Sequence, residues 1–200
     1  TLLLSSVLQK VKIPVIAAGG FRDGSGLAAA IAWGAEGIAM GTRFMMTDES
    51  PVPSQTKESY ISAGIDDIKI TKKFDGLPHR LIFNDYIKKI DHSNPFTLLL
   101  ISIRSAIKYK QLTQSSYKDL FRAFFAMLKG DDLTISQSVM SANSPAIIQK
   151  AMVEGFPNEG AMPSGQVAGI ITNLPACEEL VSEIMSDFDK ACKKLEGIRR

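Results

Sequence analysis

The stretch from Ile13 to Thr47, IPVIAAGGFRDGSGLAAAIAWGAEGIAMGTRFMMT, constrains the fold more than any other part of the chain. Two apolar runs, IPVIAAGG and EGIAMGT, each end in glycine, and a small-residue segment lies between them. The first run is almost continuously apolar from Ile13 to Ala18, the pattern of a strand buried on both faces of a parallel sheet. Asp23 or Ser25 is placed to cap a helix. Leu27, Ile31 and Ala35, with Ala28 and Ala32, would form its buried stripe, and the alanines would let it lie close to a sheet. Gly34 marks its end, and Gly37 to Met40 reads as a second short strand. Strand, helix and strand within about thirty-five residues make a βαβ unit, and strands this short suit a barrel better than a wide open sheet.

Glycine after a parallel strand lets the backbone approach an anion, and the N–H groups at the start of the next helix can face it. In (β/α)8 barrels the loops after the last two strands commonly build one phosphate site together. Here Gly19-Gly20 would form one half and Gly41-Thr42 the other, with the Thr42 hydroxyl as a further donor. The alternative is that these glycines serve only tight turns. Arg43, directly after the second turn, is either an additional charge partner for the anion or part of a salt bridge at the barrel rim.

The remainder of the chain reads as mostly helical. Residues 1 to 10 carry helical spacing, as do residues 54 to 63, whereas Asp67 to Phe74 reads as an extended segment and Asp75-Gly76-Leu77-Pro78 as a turn. Arg80 to Ile90 is mixed in character. A helix is expected from Pro95. The clearest amphipathic helix is Tyr117 to Leu128, with Leu120, Phe121, Phe124, Phe125 and Leu128 on one face and Gly130 as its cap. A weaker helix signal covers Ala146 to Val153 and is followed by the loop GFPNEGAMPSG. Pro175 opens a last helix, on which Leu180, Ile184, Phe188 and Cys192 fall four apart. The tail from Gly197 to Arg200 is expected to fray.

Three segments in order carry a resemblance. The stretch PVIAAGGFRDGSGLAAAIAWGAEGIAMGTRFMMTDES resembles nitronate monooxygenases, a family that also includes FMN-dependent enoyl-ACP reductases and NADH:quinone reductases. Gly76, Pro78, Arg80 and Asn84 resemble its G-x-P-x-R-x-x-x-N segment. Gly165-Gln166-Val167-Ala168-Gly169-Ile170, followed by Leu174-Pro175, resembles its closing G-Q-x-x-G-x-I segment. The resemblance implies an α/β fold, the C-terminal part of a (β/α)8 TIM barrel with its last two strands, plus a mostly helical region. Residues 1–93 would hold the barrel units and the segment after them, 94–163 a helical insertion, and 164–200 a closing loop and a helix returning to the barrel.

The same resemblance implies FMN as cofactor. Gly19 and Gly20 would sit on its phosphate, Ala39-Met40-Gly41-Thr42 would be the second phosphate loop, and Gly165-Gln166 would return over the flavin site. The family often has Gln where this chain has Ala39, so only a backbone contact survives there. The implied activity is oxidation of alkyl nitronates with oxygen; quinone reduction by NADH or enoyl reduction are the alternatives within the family. An IMP-dehydrogenase-like phosphate-binding barrel and a non-catalytic fragment are the alternatives outside it.

No catalytic residue is assigned. The family's base is a His in the middle of the barrel, and that segment would lie upstream of Thr1. His79 and His92 read as structural, and Trp33 as packing. Because the chain starts at Thr1 without Met, it is expected to begin inside a domain.

Composition removes several other classes. A net charge of +2, with Lys and Arg scattered, implies neither nucleic acid nor a membrane surface. The longest apolar run, Phe96 to Ile103, is far short of the ~20 residues a membrane span requires. Two cysteines without metal-ligand spacing read as reduced thiols, which implies no metal and a cytoplasmic protein. The partners expected are small molecules, an alkyl nitronate or a quinone with NADH, and a homodimer is among the assemblies allowed.

Overall fold

The structure, a computed structural model, describes residues 2–94, 97 and 135–198. They divide into two units, Thr1–Ser50 with Gly165–Arg200 and Pro51–Ser164. The helix expected from Pro95, the amphipathic helix over Tyr117–Leu128 and the Gly130 cap lie outside the described residues.

The first unit is built around the glycine-punctuated stretch. Helix α1 (Leu2–Leu8) leads to strand β1 (Ile16–Ala18), helix α2 (Gly24–Ala32), strand β2 (Gly37–Ala39) and the short helix α3 (Thr42–Met45). Asp23 adopts an extended conformation and its carboxylate accepts the Gly26 N–H at 2.9 Å, so α2 starts where the sequence places a cap. Gly34, at φ +105°, turns the chain out of α2 in the left-handed region, where glycine is free of Cβ strain. Strands β1 and β2 are parallel, with Ile16 opposite Gly37, Ala17 opposite Ile38 and Ala18 opposite Ala39. Ala17, Ala30 and Ala35 form a small core with Leu4, Phe21 and Ile38 against it.

Burial in this unit departs from the sequence pattern. Only Ala17 of β1 is buried, and Ile16 is 57% exposed, so the strand is not covered on both faces. A ladder of two three-residue strands covers one face only, and hydrophobicity alone does not say which faces find neighbours. On α2 the buried residues are Gly24, Ala28 and Ala30, while Ile31 and Ala32 are exposed. Trp33 is the C-cap residue and is 44% exposed; it is not a packing residue of the core.

The reason is where α2 makes its close contact. Helix α7 (Cys177–Ile198) packs on it, with Leu180 and Ile184 buried. A Cβ added at Gly24 would lie 2.0 Å from the Ile184 carbonyl oxygen and 2.2 Å from the Phe188 nitrogen. The small residues therefore serve helix-to-helix approach at the start of α2, more than contact with the sheet. The Glu49 carboxylate caps α7 by accepting the Cys177 N–H at 2.8 and 2.9 Å. Cys177 and Cys192 are both free thiols.

The second unit holds more strand than expected. Helix α4 (Ser54–Ser62) is followed by an antiparallel hairpin, β3 (Ile68–Thr71) and β4 (His79–Ile82), with Ile68 opposite Ile82 and Thr71 opposite His79. The Asp75-Gly76-Leu77-Pro78 turn lies in its connection. The half of this hairpin within Arg80–Ile90 was illegible because a four-residue strand running straight into a helix, α5 (Asp85–His92), leaves no clean period. Helix α6 (Ile135–Met152) is longer than its sequence signal and contains Pro145. Phe74, Leu81, Ile87, Ile90, Ile147 and Ala161 form the core.

Asn84 is the joint of this unit. Its side-chain oxygen accepts the Ile87 N–H at 2.9 Å and so caps α5, while its amide nitrogen donates to the Pro157 and Gly160 carbonyls. The free edge of β4 is covered by residues 162–164: Ile82 N–H donates to Met162 O, Ser164 N–H donates to Arg80 O, and Leu81 bridges to Pro163. No helix among the described residues is long and apolar enough to cross a membrane.

Candidate phosphate site at the end of the parallel strands

The register of β1 and β2 determines where the two glycine turns emerge. Ala18 lies opposite Ala39, so the residues that follow each strand, Gly19-Gly20 and Met40-Gly41, leave the same end of the ladder about 5 Å apart. Gly19 and Gly20 have φ of +99° and +81°, a backbone other residues adopt only with strain. Nothing lies within 4 Å of a Cβ built on Gly19, Gly20 or Gly41, so both turns are open. Gly41 is also the N-cap of α3 and offers no capping side chain.

A third segment joins these two. Gly165 N–H donates to Thr42 Oγ1 at 2.9 Å across 123 residues of sequence. A side chain at 165 would crowd that hydroxyl, since a Cβ there would lie 3.0 Å from it. This bond places the 3-10 segment Gln166–Ile170 beside α3, with Gln166 exposed. The far end of the segment is held as well: Arg22 Nη1 donates to the Ile170 carbonyl at 3.0 Å.

The seven candidate residues thus take distinct places. Gly19 and Gly20 form an open left-handed turn. Ala39 ends β2 with an exposed methyl that makes no hydrogen bond, so only its backbone is of use. Met40 is half-buried, and Gly41 is an exposed turn residue. Thr42 accepts from Gly165 and retains its own proton for donation, because a hydroxyl carries one donor and two acceptor positions. Gln166 begins the adjoining 3-10 turn.

The start of α2 is less open to an anion than its place after Gly19-Gly20 suggests. Its capping position is taken by the Asp23 carboxylate, which also pairs with Arg22 at 3.3 Å. One N–H of this helix start, that of Gly26, is therefore taken by a carboxylate whose charge opposes an anion there, and the openings for an anion are the turn amides and the Thr42 hydroxyl. Arg43 also departs from both readings. It is 4% exposed and donates to Asn173 Oδ1, Asn173 O and Met46 O at 3.0, 3.1 and 3.0 Å. It touches neither the open turns nor a carboxylate within salt-bridge distance among the described residues. Burial holds its pKa below the usual guanidinium value, with Glu183 acting in the opposite direction.

Asn173 was not singled out by the sequence, whereas Gly165 was noted with Gln166 in the closing segment, without its bond to Thr42. Nothing in the spacing marks Asn173. In the other unit His79 Nε2 lies 2.7 Å from Asp75 Oδ2, with its ring edge-on to Phe74, and the His92 Nδ1–H donates to the Lys88 carbonyl. No cluster of three His, Cys, Asp or Glu suited to a metal occurs among the described residues.

Comparison with known proteins gives this geometry its context. The chain matches the nitronate monooxygenase family over residues 1–187. The chain belongs to this family. It is 43% identical over 199 residues to the (3aS,4S,5R,7aS)-5-hydroxy-7a-methyl-1-oxo-octahydro-1H-indene-4-carboxyl-CoA dehydrogenase of Rhodococcus jostii, covering 100% of this chain and 56% of that protein. A probable nitronate monooxygenase of Staphylococcus saprophyticus is 38% identical over 89 residues, 44% of this chain and 25% of that protein. Among solved structures, FabK from Thermotoga maritima matches with a TM-score of 0.66 at 28% identity, covering 98% of this chain and 50% of that one. The chain of this nitronate monooxygenase family member spans about half the length of the relatives it matches along its whole extent.

Proposed function

We propose that this chain is the cofactor-phosphate portion of a flavin-dependent oxidoreductase, with Gly19, Gly20, Ala39, Met40, Gly41, Thr42 and Gln166 disposed around FMN. The observation that carries the reading is the convergence of the two open glycine turns, joined to the Gln166 segment by the Gly165–Thr42 bond. The residues fit a phosphate: amides free of side-chain bulk, a hydroxyl with a proton to give, and no carboxylate among the seven. Such a flavin, when bound, supplies the two-electron chemistry. This chain's residues bind and orient. The Gly20 and Gly41 backbones admit the phosphate, the Thr42 hydroxyl donates to it, and Gln166 lies at the edge of the site. β1 and β2 would then be the last two strands of a (β/α)8 barrel, with 94–163 an insertion and 164–200 the closing segment. No residue of this chain is assigned as the base, and the expected location is the cytoplasm.

For the substrate we favour a coenzyme A thioester of a hydroxylated carboxylic acid. The relative named for such a substrate matches along the whole chain, whereas the relative named as a nitronate monooxygenase matches over less than half of it. Oxidation of an alkyl nitronate is the second reading, supported by the family itself. The experiment is anaerobic mixing of the full-length protein with a hydroxyacyl-CoA, with propyl nitronate or with NADH, following bleaching of the flavin spectrum. Bleaching by the thioester is the expected result. A colourless protein that does not take up FMN overturns the flavin reading altogether, and bleaching by the nitronate alone overturns the thioester.

A further inference from the structure

The Gln166–Ile170 segment is tied at both ends to residues that closely follow the two glycine turns. At its start, the Gly165 N–H donates to Oγ1 of Thr42, which stands one residue past Gly41. At its end, the Ile170 carbonyl accepts Nη1 of Arg22, which stands two residues past Gly20. At about 2 Å rise per residue, a 3-10 segment carries the chain about 10 Å from Gly165 to Ile170. That length is enough to bridge turns leaving strands about 5 Å apart. Val167 and Ala168 are buried, whereas Gln166 and Ile170 are exposed. Packing therefore holds the middle of the segment, and polar ties hold its ends.

The two ties differ in kind. The last carbonyls of a helical turn lack partners within it and carry partial negative charge, so a guanidinium is well suited to the Ile170 end. That guanidinium is itself oriented: Arg22 Nε lies 3.3 Å from Asp23 Oδ2, while Asp23 Oδ1 accepts the Gly26 N–H. The cap of α2 thus aims the side chain that holds Ile170, and no ligand enters this chain of bonds. At the Gly165 end the Thr42 hydroxyl accepts a proton and keeps its own to donate. Donation to an anion strengthens the bond that the same hydroxyl accepts. One end is a fixed hold and the other responds to the ligand.

We propose that Arg22 is a positioning residue of the phosphate site: by holding the Ile170 carbonyl it keeps Gly165 in register with Thr42 and Gln166 at the edge of the site. Arg22 acts through the segment and not on the ligand. This rests on the flavin-phosphate reading above.

The test uses the full-length protein in two arms. The first needs no flavin and follows amide hydrogen exchange in Arg22→Met, which keeps an unbranched chain but neither donor nor charge. Exchange at the Gly165 and Ala168 N–H groups is expected to rise about tenfold, with β1 and α2 unchanged. Wild-type exchange there overturns the tie. The second arm reads FMN dissociation constants from quenching of flavin fluorescence. Arg22→Met is expected to weaken FMN binding about tenfold, and Arg22→Lys, which restores a charged donor, to bind within about threefold of wild type. Thr42→Val cuts the other tie. The double variant Arg22→Met/Thr42→Val is expected to bind within about twofold of Thr42→Val alone, because a segment already loose at its start leaves no register for Arg22 to hold. A residue serving stability alone leaves FMN affinity unchanged in Arg22→Met. A residue acting by its charge on the phosphate adds its full effect in the double variant. Either result overturns the positioning role while wild-type binding keeps the flavin reading intact. A wild-type protein that takes up no FMN overturns that reading, and the role of Arg22 with it.

Discussion

Gly41 separates what the fold requires from what a ligand requires. Its backbone is right-handed, at φ −82° and ψ −71°, so any residue can adopt it. A Cβ built there meets nothing within 4 Å, and the residue is exposed. Nothing in this structure therefore demands glycine. Alanine at such a position reduces the freedom of the unfolded chain, worth about 0.4–1 kcal/mol, but is a poorer N-cap by a similar amount. Gly41→Ala and Gly41→Glu should both unfold within about 1 kcal/mol of wild type. Ligand binding should respond very differently. A carboxylate about 5 Å from a phosphate, at an effective dielectric near 20, opposes it by about 3 kcal/mol per unit charge. Gly41→Glu should therefore weaken FMN binding by about a hundredfold or more and remove the thermal stabilisation that FMN gives the wild type. Gly41→Ala should fall between, through bulk alone. The assay is a fluorescence titration with FMN paired with thermal melts with and without the cofactor. Unchanged FMN affinity in Gly41→Glu refutes the site, and a melting point several degrees lower for Gly41→Ala without ligand refutes the claim that the fold tolerates a side chain there.

Gly24→Ala should show the reverse pattern. Its methyl would collide with the Ile184 carbonyl and the Phe188 nitrogen, backbone atoms that cannot rotate away. The overpacking cost of about 1–3 kcal/mol should exceed the gain in helix propensity, and urea unfolding would read the difference; a more stable variant would mean that α7 does not lie where it is placed here. Asn84→Ala removes the α5 cap and two donors to the 157–160 turn, and should destabilise the second unit by about 2–4 kcal/mol, visible as faster amide exchange in α5. Tyr60 is buried and donates its hydroxyl to the Pro163 carbonyl; burial raises its pKa above the unfolded value of 10.0. The unfolded chain releases this proton first, so stability is intact below pH 10 and falls as pH rises beyond it. Tyr60→Phe should flatten that alkaline slope in a series of melts, at the expense of about 1 kcal/mol at neutral pH.

What was legible in the sequence was local. Gly34 and Asp23 bracket α2 because a left-handed turn and a side-chain cap each involve only a few neighbouring residues. The glycine turns were likewise visible, since their residue types report a backbone requirement directly. Burial was misjudged at Ile16, Ile31 and Trp33, because hydrophobicity describes what a side chain prefers and not whether a neighbour arrives. The β3–β4 hairpin was only half seen, its second strand being four residues that run straight into a helix. Asn84 was noted as part of a motif, but its work as a joint depends on carbonyls more than seventy residues away.

The sequence by itself determined the βαβ unit, its two open turns and the family to which they belong, because period, caps and glycines act over a few residues. Only the tertiary structure decided that Thr42 meets Gly165, that Arg43 is buried against Asn173 and away from the open turns, and that Gly24 is reserved for α7. Those contacts join residues more than a hundred positions apart. They depend on how the whole unit closes, which no local spacing encodes.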